Sequence, residues 1–246
     1  MSHSFSRYVA LGDSISIDLY PAFDAETRDL GDSNLLGLGA ASLFFSNRDD
    51  VWPDFAGSGL TSHYAGIEKY DGTADGATTE SVLEGQLAQL PKDDGGETLI
   101  TLTVGGNDLL LLIDGDEAER EPGTRQAISN VGAILKALRS HFSRATILLG
   151  TVYDPTDGTA DLGDGVVRDK DWELLGIFNE AITNLAAANK CLVADLHGEF
   201  FGHGLTEPES ADRWYWDLAI IEPNARGASE VRRAWLECLG LPAPTG

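Results

Sequence analysis

Short apolar segments that alternate with amphipathic segments are the feature of this 246-residue chain that most limits its fold. Five segments are rich in apolar and β-branched residues on both faces, as strands buried on both sides are. They are residues 7–11, 63–69, 98–104, 145–152 and 191–196. Apolar residues recur at helical spacing over residues 34–45, 79–90, 124–142, 171–189 and 225–239. This alternation predicts a parallel five-stranded sheet between two layers of helices.

Composition limits the number of domains and the class of partner. No proline-rich, serine-rich or low-complexity linker divides the chain, so we expect residues 1–246 to form a single domain. The chain has 40 Asp and Glu against 17 Lys and Arg, which gives a net charge of -23. Such a surface repels phosphate backbones and anionic headgroups, so we expect neither a nucleic-acid partner nor a membrane partner.

The cysteine content and the N-terminus bear on location. Cys191 and Cys238 are too few for a disulfide framework, and we interpret both as small buried apolar residues. The first predicted strand begins within the first ten residues, which leaves no room for a signal peptide. We therefore expect a cytoplasmic protein.

Polar residues follow three of the predicted strands. Gly12-Asp13-Ser14 follows the first strand, Gly76 follows the second and Asn107 follows the third. Active sites of open α/β sheets lie at the carboxyl ends of the strands, so these residues are expected to meet in one cleft.

Ser14 and Asn107 together indicate acyl-transfer chemistry. A serine hydroxyl attacks a carbonyl when a base takes its proton and fixed donors stabilise the oxyanion. The Asn107 amide is a neutral donor suited to that second role. Asp13 and Asp108 are expected to brace these loops through hydrogen bonds to the backbone.

These motifs resemble those of the SGNH/GDSL hydrolases. The resemblance rests on Gly12-Asp13-Ser14, on the segment around Gly76, and on Gly105-Gly106-Asn107-Asp108, and it extends over nearly the whole chain. It implies a flavodoxin-like α/β/α sandwich, a Ser14 nucleophile, and an oxyanion hole formed by Ser14, Gly76 and Asn107.

The third motif of that family is altered here. The family carries an acid and a histidine before a proline, whereas this chain has Ala219 and Glu222 before Pro223. Glu222 can itself be the base, with Asp217 as its partner. Alternatively, His203 can supply the base, or the site can be inactive. A Glu base of ordinary pKa keeps activity down towards about pH 5, whereas a histidine base loses activity below about pH 6.5.

The sequence thus predicts a serine esterase or acylhydrolase that acts on a small soluble ester. Trp214 and Trp216 are candidate substrate-binding residues, because aromatic faces offer rigid apolar contact. No metal-ligand or nucleotide-binding motif is present, and we expect no metal and no cofactor. The alternative is an impaired protein that binds an acylated or sugar ligand without turnover. The sequence does not indicate the oligomeric state.

Overall fold

The computed structural model describes residues 4–27, 37–113 and 115–244. Its centre is a five-stranded parallel sheet in the order β2-β1-β3-β4-β5. The strands are β1 Phe5–Gly12, β2 Glu68–Asp71, β3 Glu97–Thr103, β4 Ala145–Gly150 and β5 Leu192–Ala194. The strand order reverses direction between β1 and β3, and ligands of doubly wound sheets bind beside that point. The predicted flavodoxin-like α/β/α fold is confirmed.

Nine α-helices and one antiparallel hairpin complete the described part of the chain. The helices are α1 Leu19–Thr27, α2 Ala40–Phe45, α3 Leu60–His63, α4 Thr79–Ser81, α5 Gly106–Ile113, α6 Glu117–His141, α7 Asp169–Ala188, α8 Leu196–Phe200 and α9 Ala225–Cys238. A π-helical turn, Val82–Gln86, and a 3-10 turn, Leu87–Gln89, follow α4. The hairpin pairs β6 Tyr215–Trp216 with β7 Ala219–Pro223.

Two apolar cores lie on opposite faces of the sheet. Successive strand residues point to opposite faces, so Tyr8 and Ala10 enter one core while Val9 and Leu11 enter the other. The first core includes residues of α2, α8 and α9, and the second includes residues of α5, α6 and α7. The helices therefore cover both faces and leave the carboxyl ends of the strands for a site.

The second strand differs from the prediction. It was expected over 63–69, but the structure places His63 at the end of α3 and begins β2 at Glu68. Gly66 has a φ of +78°, so the chain turns between the helix and the strand. β2 is a short polar edge strand, and the apolar residues that precede it belong to that turn.

The helices also differ in extent. The predicted helix over 79–90 is split into α4, the π-helical turn and the 3-10 turn. The predicted helix over 34–45 begins outside the described residues, and its described part runs over Ala40–Phe45. Helices α1, α5 and α8 and the β6–β7 hairpin were not predicted.

Two further observations concern cysteines and membranes. Cys191 and Cys238 are free thiols and are partly buried, not fully buried as predicted. Among the described residues, no helix combines the length and the apolar character that crossing a membrane requires. The cytoplasmic location stays a prediction.

Candidate active site

Ser14 is held by a tight turn at the carboxyl end of β1. Gly12 ends the strand with a φ of +117°, and a Cβ at this position would lie 1.7 Å from the Thr103 carbonyl oxygen. Glycine is therefore required for β1 to pass so close to β3. Beyond it, the Ile17 N–H donates to the Ser14 carbonyl oxygen at 3.3 Å, and the Ser14 side chain is buried.

Asp13 braces this turn, as predicted. Its Oδ1 accepts a hydrogen bond from the Ile15 N–H at 3.2 Å, and its side chain is 1% exposed. Burial raises the pKa of Asp13 to about 7. Hydrogen bonds from Thr103 and Ile15 lower this pKa, whereas the nearby charge of Glu222 raises it further. Asp13 and Glu222 are thus two buried carboxyl groups that disfavour each other's ionisation.

Glu222 lies on β7 and lines the same cleft as Ser14. The Ser14 hydroxyl is close enough to lower the pKa of the Glu222 carboxyl group, and Oε2 of Glu222 is buried without a partner among the described residues. Burial raises the pKa of Glu222 from 4.5 to about 7; the Ser14 hydroxyl opposes this rise and the charge of Asp75 adds to it. The structure therefore places a carboxyl group of raised pKa beside Ser14.

Asn107 lies in the first turn of α5, directly beyond β3. One N–H of its side-chain amide donates to the Ala77 carbonyl oxygen at 3.1 Å. This bond fixes the orientation of the amide, and the second N–H of the same group is available to a ligand. Asp108 anchors the neighbouring loop, as predicted, by accepting from the N–H of Thr79 at 2.9 Å and from its hydroxyl at 2.6 Å.

Gly76 occupies a loop beside the site, between Asp75 and Ala77. It is exposed, has a φ of +67° and lines a surface depression together with Asp75 and Ala77. The loop is near the base, because Asp75 raises the pKa of Glu222. The position of Gly76 in the oxyanion hole stays a prediction.

His203 and Trp214 lie together, behind the hairpin. The His203 ring stacks on Trp214 with centroids 3.8 Å apart and an interplanar angle of 3°. Its Nδ1 is buried without a partner among the described residues, and it does not line the cleft. Trp214 also packs edge-on against Phe200 at 5.1 Å. The structure therefore brings neither residue to Ser14.

Trp216 and Asp217 have other contacts. Trp216 packs against two aromatic residues of α1, Tyr20 at 5.7 Å and Phe23 at 6.0 Å. Asp217 forms an ion pair with Arg213 at 3.7 Å. Tyr20 is near Glu222, because the charge of Glu222 contributes to the raised pKa of Tyr20. Trp216 packs against Tyr20 and is therefore on the Glu222 side of the site.

A small cleft with a cavity volume of about 80 Å³ contains Ser14, Asn107 and Glu222. Most of its wall is apolar, and this wall was not predicted. It consists of Ile15, Leu109, Leu110, Ile113, Val152, Tyr153, Pro155, Leu162, Trp172, Leu175 and Ile221. The leucine-rich run directly after Asn107 is the part of the sequence that could have indicated this wall. Hydropathy alone, however, does not distinguish residues that line a cleft from residues of a buried core.

A buried serine, a carboxyl group beside it and an amide donor in one cleft are the elements of an acyl-transfer site. The family model described as the GDSL-like Lipase/Acylhydrolase family matches residues 30–229. The chain belongs to this family. It is a hydrolase that acts on ester bonds. No curated protein sequence matches this family member.

Solved structures with a similar fold include three enzymes. LAE5, an alpha/beta hydrolase from the metagenome of Lake Arreo, is 16% identical, with 97% of each chain covered and a TM-score of 0.64. An extracellular lipase from Streptomyces rimosus is 19% identical, with 96% of this chain and 98% of that chain covered and a TM-score of 0.61. The acetylxylan esterase Axe2 from Geobacillus stearothermophilus is 16% identical, with 98% and 96% covered and a TM-score of 0.62. At these identities the likeness shows the fold alone.

Proposed function

We propose that this hydrolase cleaves acyl esters with Ser14 as nucleophile and Glu222 as general base. The observation that carries the proposal is the proximity of the Ser14 hydroxyl to the buried Glu222 carboxyl group. Both side chains line the same cleft, at the carboxyl end of β1 and beside the strand-order reversal.

The reaction then has two steps. Ser14 Oγ attacks the ester carbonyl carbon while its proton passes to Glu222, and the intermediate collapses to an acyl-serine as Glu222 protonates the departing alkoxide. Water next attacks the acyl carbon and gives a proton to Glu222, which returns it to Ser14 Oγ as the acid leaves. The net change is one ester and one water to one acid and one alcohol.

Glu222 has the basicity that this role requires. A carboxylate of pKa near 4.3 is a weak base at neutral pH, whereas a group with a pKa near the working pH is an efficient one. Burial raises the pKa of Glu222 to about 7, close to that of an ordinary histidine. The absence of a histidine in the third motif is therefore compatible with turnover.

The oxyanion has one well-oriented side-chain donor. The Ala77 carbonyl fixes the Asn107 amide, and the other N–H of that amide can meet a carbonyl oxygen bound beside Ser14. The N–H groups of Ser14 and Gly76 complete the proposed oxyanion hole. Binding without turnover, the alternative function, is not favoured, because the proposed nucleophile and a base of suitable pKa lie close together in one cleft.

Hydrolysis of p-nitrophenyl acetate tests the proposal. Wild-type protein is expected to release p-nitrophenol, and folded Ser14→Ala is expected to have no activity above background. The control is Ser58→Ala, a buried serine whose hydroxyl donates to the Phe55 carbonyl, far along the chain from the site. Equal rates for wild type and Ser14→Ala would assign the nucleophile elsewhere, and no hydrolysis of any ester by the wild type would support the binding protein.

A further inference from the structure

The cleft has a polar end and an apolar end. Asp13, Ser14, Asn107 and Glu222 form the polar end. The rest of the wall is apolar except for Asp171, whose carboxylate is paired with Arg120 at 2.5 Å. Among the described residues that line the cleft, none is a lysine or an arginine, so nothing there favours an anionic substrate group.

The two sides of the ester can be assigned to the two sides of the site. Glu222 returns its proton to the alkoxide, so the alcohol must leave beside Glu222. The groups near Glu222 on that side are Asp75 and Tyr20, which hydrogen-bond to each other at 3.1 Å in an exposed position. The oxyanion donor Asn107 is on α5 instead, and the same helix supplies Leu109, Leu110 and Ile113 to the apolar wall.

Resting on the proposed function, we propose that the groove between α5 and α7 binds the acyl chain and selects medium-length chains over acetyl. Trp172 and Leu175 of α7 face the α5 residues across this groove. An acetyl group would leave most of this wall in contact with water. Each further methylene that the groove covers is expected to raise kcat/KM about fourfold, because burial of a methylene contributes about 0.8 kcal/mol.

The test is kcat/KM for p-nitrophenyl acetate, butanoate, hexanoate and octanoate. We expect the value to rise along the series by on the order of 10²-fold from acetate to hexanoate. Leu110→Trp should abolish most of that rise, so that its loss on octanoate is much larger than its loss on acetate, because the half-buried Leu110 lines the groove. Leu111→Trp is the matched control on the same helix, since Leu111 is 65% exposed.

Two results would overturn this inference alone. One is Ser14-dependent hydrolysis of acetate with flat or falling values for longer chains. The other is an equal loss on acetate and octanoate in folded Leu110→Trp. A wild-type protein that cleaves none of these esters would instead refute the proposed function.

A second, independent observation concerns Gln86. Its amide bonds to both backbone groups of Gly12: Oε1 accepts from the Gly12 N–H at 2.8 Å, and Nε2 donates to the Gly12 carbonyl oxygen at 2.8 Å. Gln86 is buried, and it ends the π-helical turn that interrupts the helix after Thr79. β2 pairs with β1 as far as Ala10, and beyond it the Ala74 N–H also donates to the Gly12 carbonyl oxygen at 3.0 Å, so Gln86 supplies the bond to the Gly12 N–H and a second bond to its carbonyl oxygen.

We infer that Gln86 is a positioning residue for the nucleophile. It fixes Gly12, and the turn beyond Gly12 sets where Ser14 Oγ lies relative to Glu222. π-Helical turns in helices are often found at functional sites, because they redirect one side chain. A displacement of about 1 Å at a reacting group can reduce a rate by on the order of 10²-fold.

The test separates positioning from stability. Gln86→Leu removes both bonds and is expected to lower kcat on the order of 10²-fold with little change in KM. Gln86→Glu retains one acceptor and has the same shape, so a smaller loss of kcat is expected. If the leucine variant does not fold, the kcat of Gln86→Glu tests whether Gln86 positions Ser14. Gln89→Leu, an exposed neighbour, is the control. Wild-type kcat in folded Gln86→Leu, or in Gln86→Glu if the leucine variant does not fold, would refute the inference.

Discussion

Replacing Glu222 by glutamine should make the protein more stable at alkaline pH while it removes activity. Glutamine has the shape of the protonated acid and no charge to bury. A rise in the pKa of Glu222 from 4.5 in the unfolded chain to about 7 in the folded chain corresponds to about 3 kcal/mol, at about 1.4 kcal/mol per pH unit.

The direction follows from proton binding. Between pH 4.5 and about 7 the folded protein binds the Glu222 proton more strongly than the unfolded chain does. The free energy of unfolding of the wild type therefore falls as pH rises through this window. In Glu222→Gln the contribution of Glu222 to this decrease is absent. At pH 4 the two proteins should be about equally stable. At pH 8 the variant should be more stable by about 3 kcal/mol, or roughly 1 M in its urea midpoint.

Urea unfolding at pH 4, 6 and 8, followed by tryptophan fluorescence, measures this difference. Glu180→Gln is the control, because Glu180 is an exposed residue of α7 and loses the same charge. Two results would refute the raised pKa of Glu222 and with it the argument for its basicity. One is equal stability of wild type and Glu222→Gln at pH 8, and the other is a difference in stability that is the same at pH 4 and pH 8.

Three further outcomes follow from the site. Asn107→Ala should lower kcat on the order of 10²-fold or more, measured on the best p-nitrophenyl ester, because it removes one oxyanion donor; an unchanged kcat would place the oxyanion elsewhere. The pH dependence of kcat/KM should have its acid limb near pH 7, because Glu222 must be ionised to accept the proton, and His203→Ala should keep the same limb; a limb that disappears in His203→Ala would make the histidine the base. Gly12→Ala should destabilise the fold by more than about 4 kcal/mol or prevent folding, whereas Gly163→Ala, where φ is also positive and a Cβ meets no atom within 4 Å, should cost about 1 to 2 kcal/mol; similar unfolding midpoints for the two would contradict the close contact with Thr103.

The strands were predictable because parallel strands buried on both faces are continuous apolar runs. The shared cleft of Ser14 and Asn107 was predictable for a related reason, since topology alone brings the ends of β1 and β3 together. β2 was misplaced because an edge strand needs no apolar run, and its sequence Glu68–Asp71 is polar. The β6–β7 hairpin was missed because two-residue β6 is too short to show an alternation.

The details of the site depend on tertiary contacts that the sequence does not encode locally. No periodicity indicates that the Gln86 amide reaches Gly12, 74 positions earlier. His203 was a candidate because flanking glycines leave space around it, but its ring is held against Trp214. Glu222 beside Ser14 was one of two alternatives taken from the aligned third motif, and the fold is needed to show that Glu222, not His203, lines the cleft and that burial raises its pKa.

That raised pKa changes how the two candidate bases can be told apart. An unperturbed glutamate keeps activity to about pH 5, and the pH profile would then separate it from a histidine. With a pKa of about 7, Glu222 titrates where a histidine does, so the profile alone no longer distinguishes them and the His203→Ala comparison does. The two bases still differ in one respect, because an active histidine is neutral whereas an active Glu222 is charged and buried. Since burial disfavours the charged form, an active Glu222 makes the fold less stable in the same pH range in which it makes Ser14 reactive.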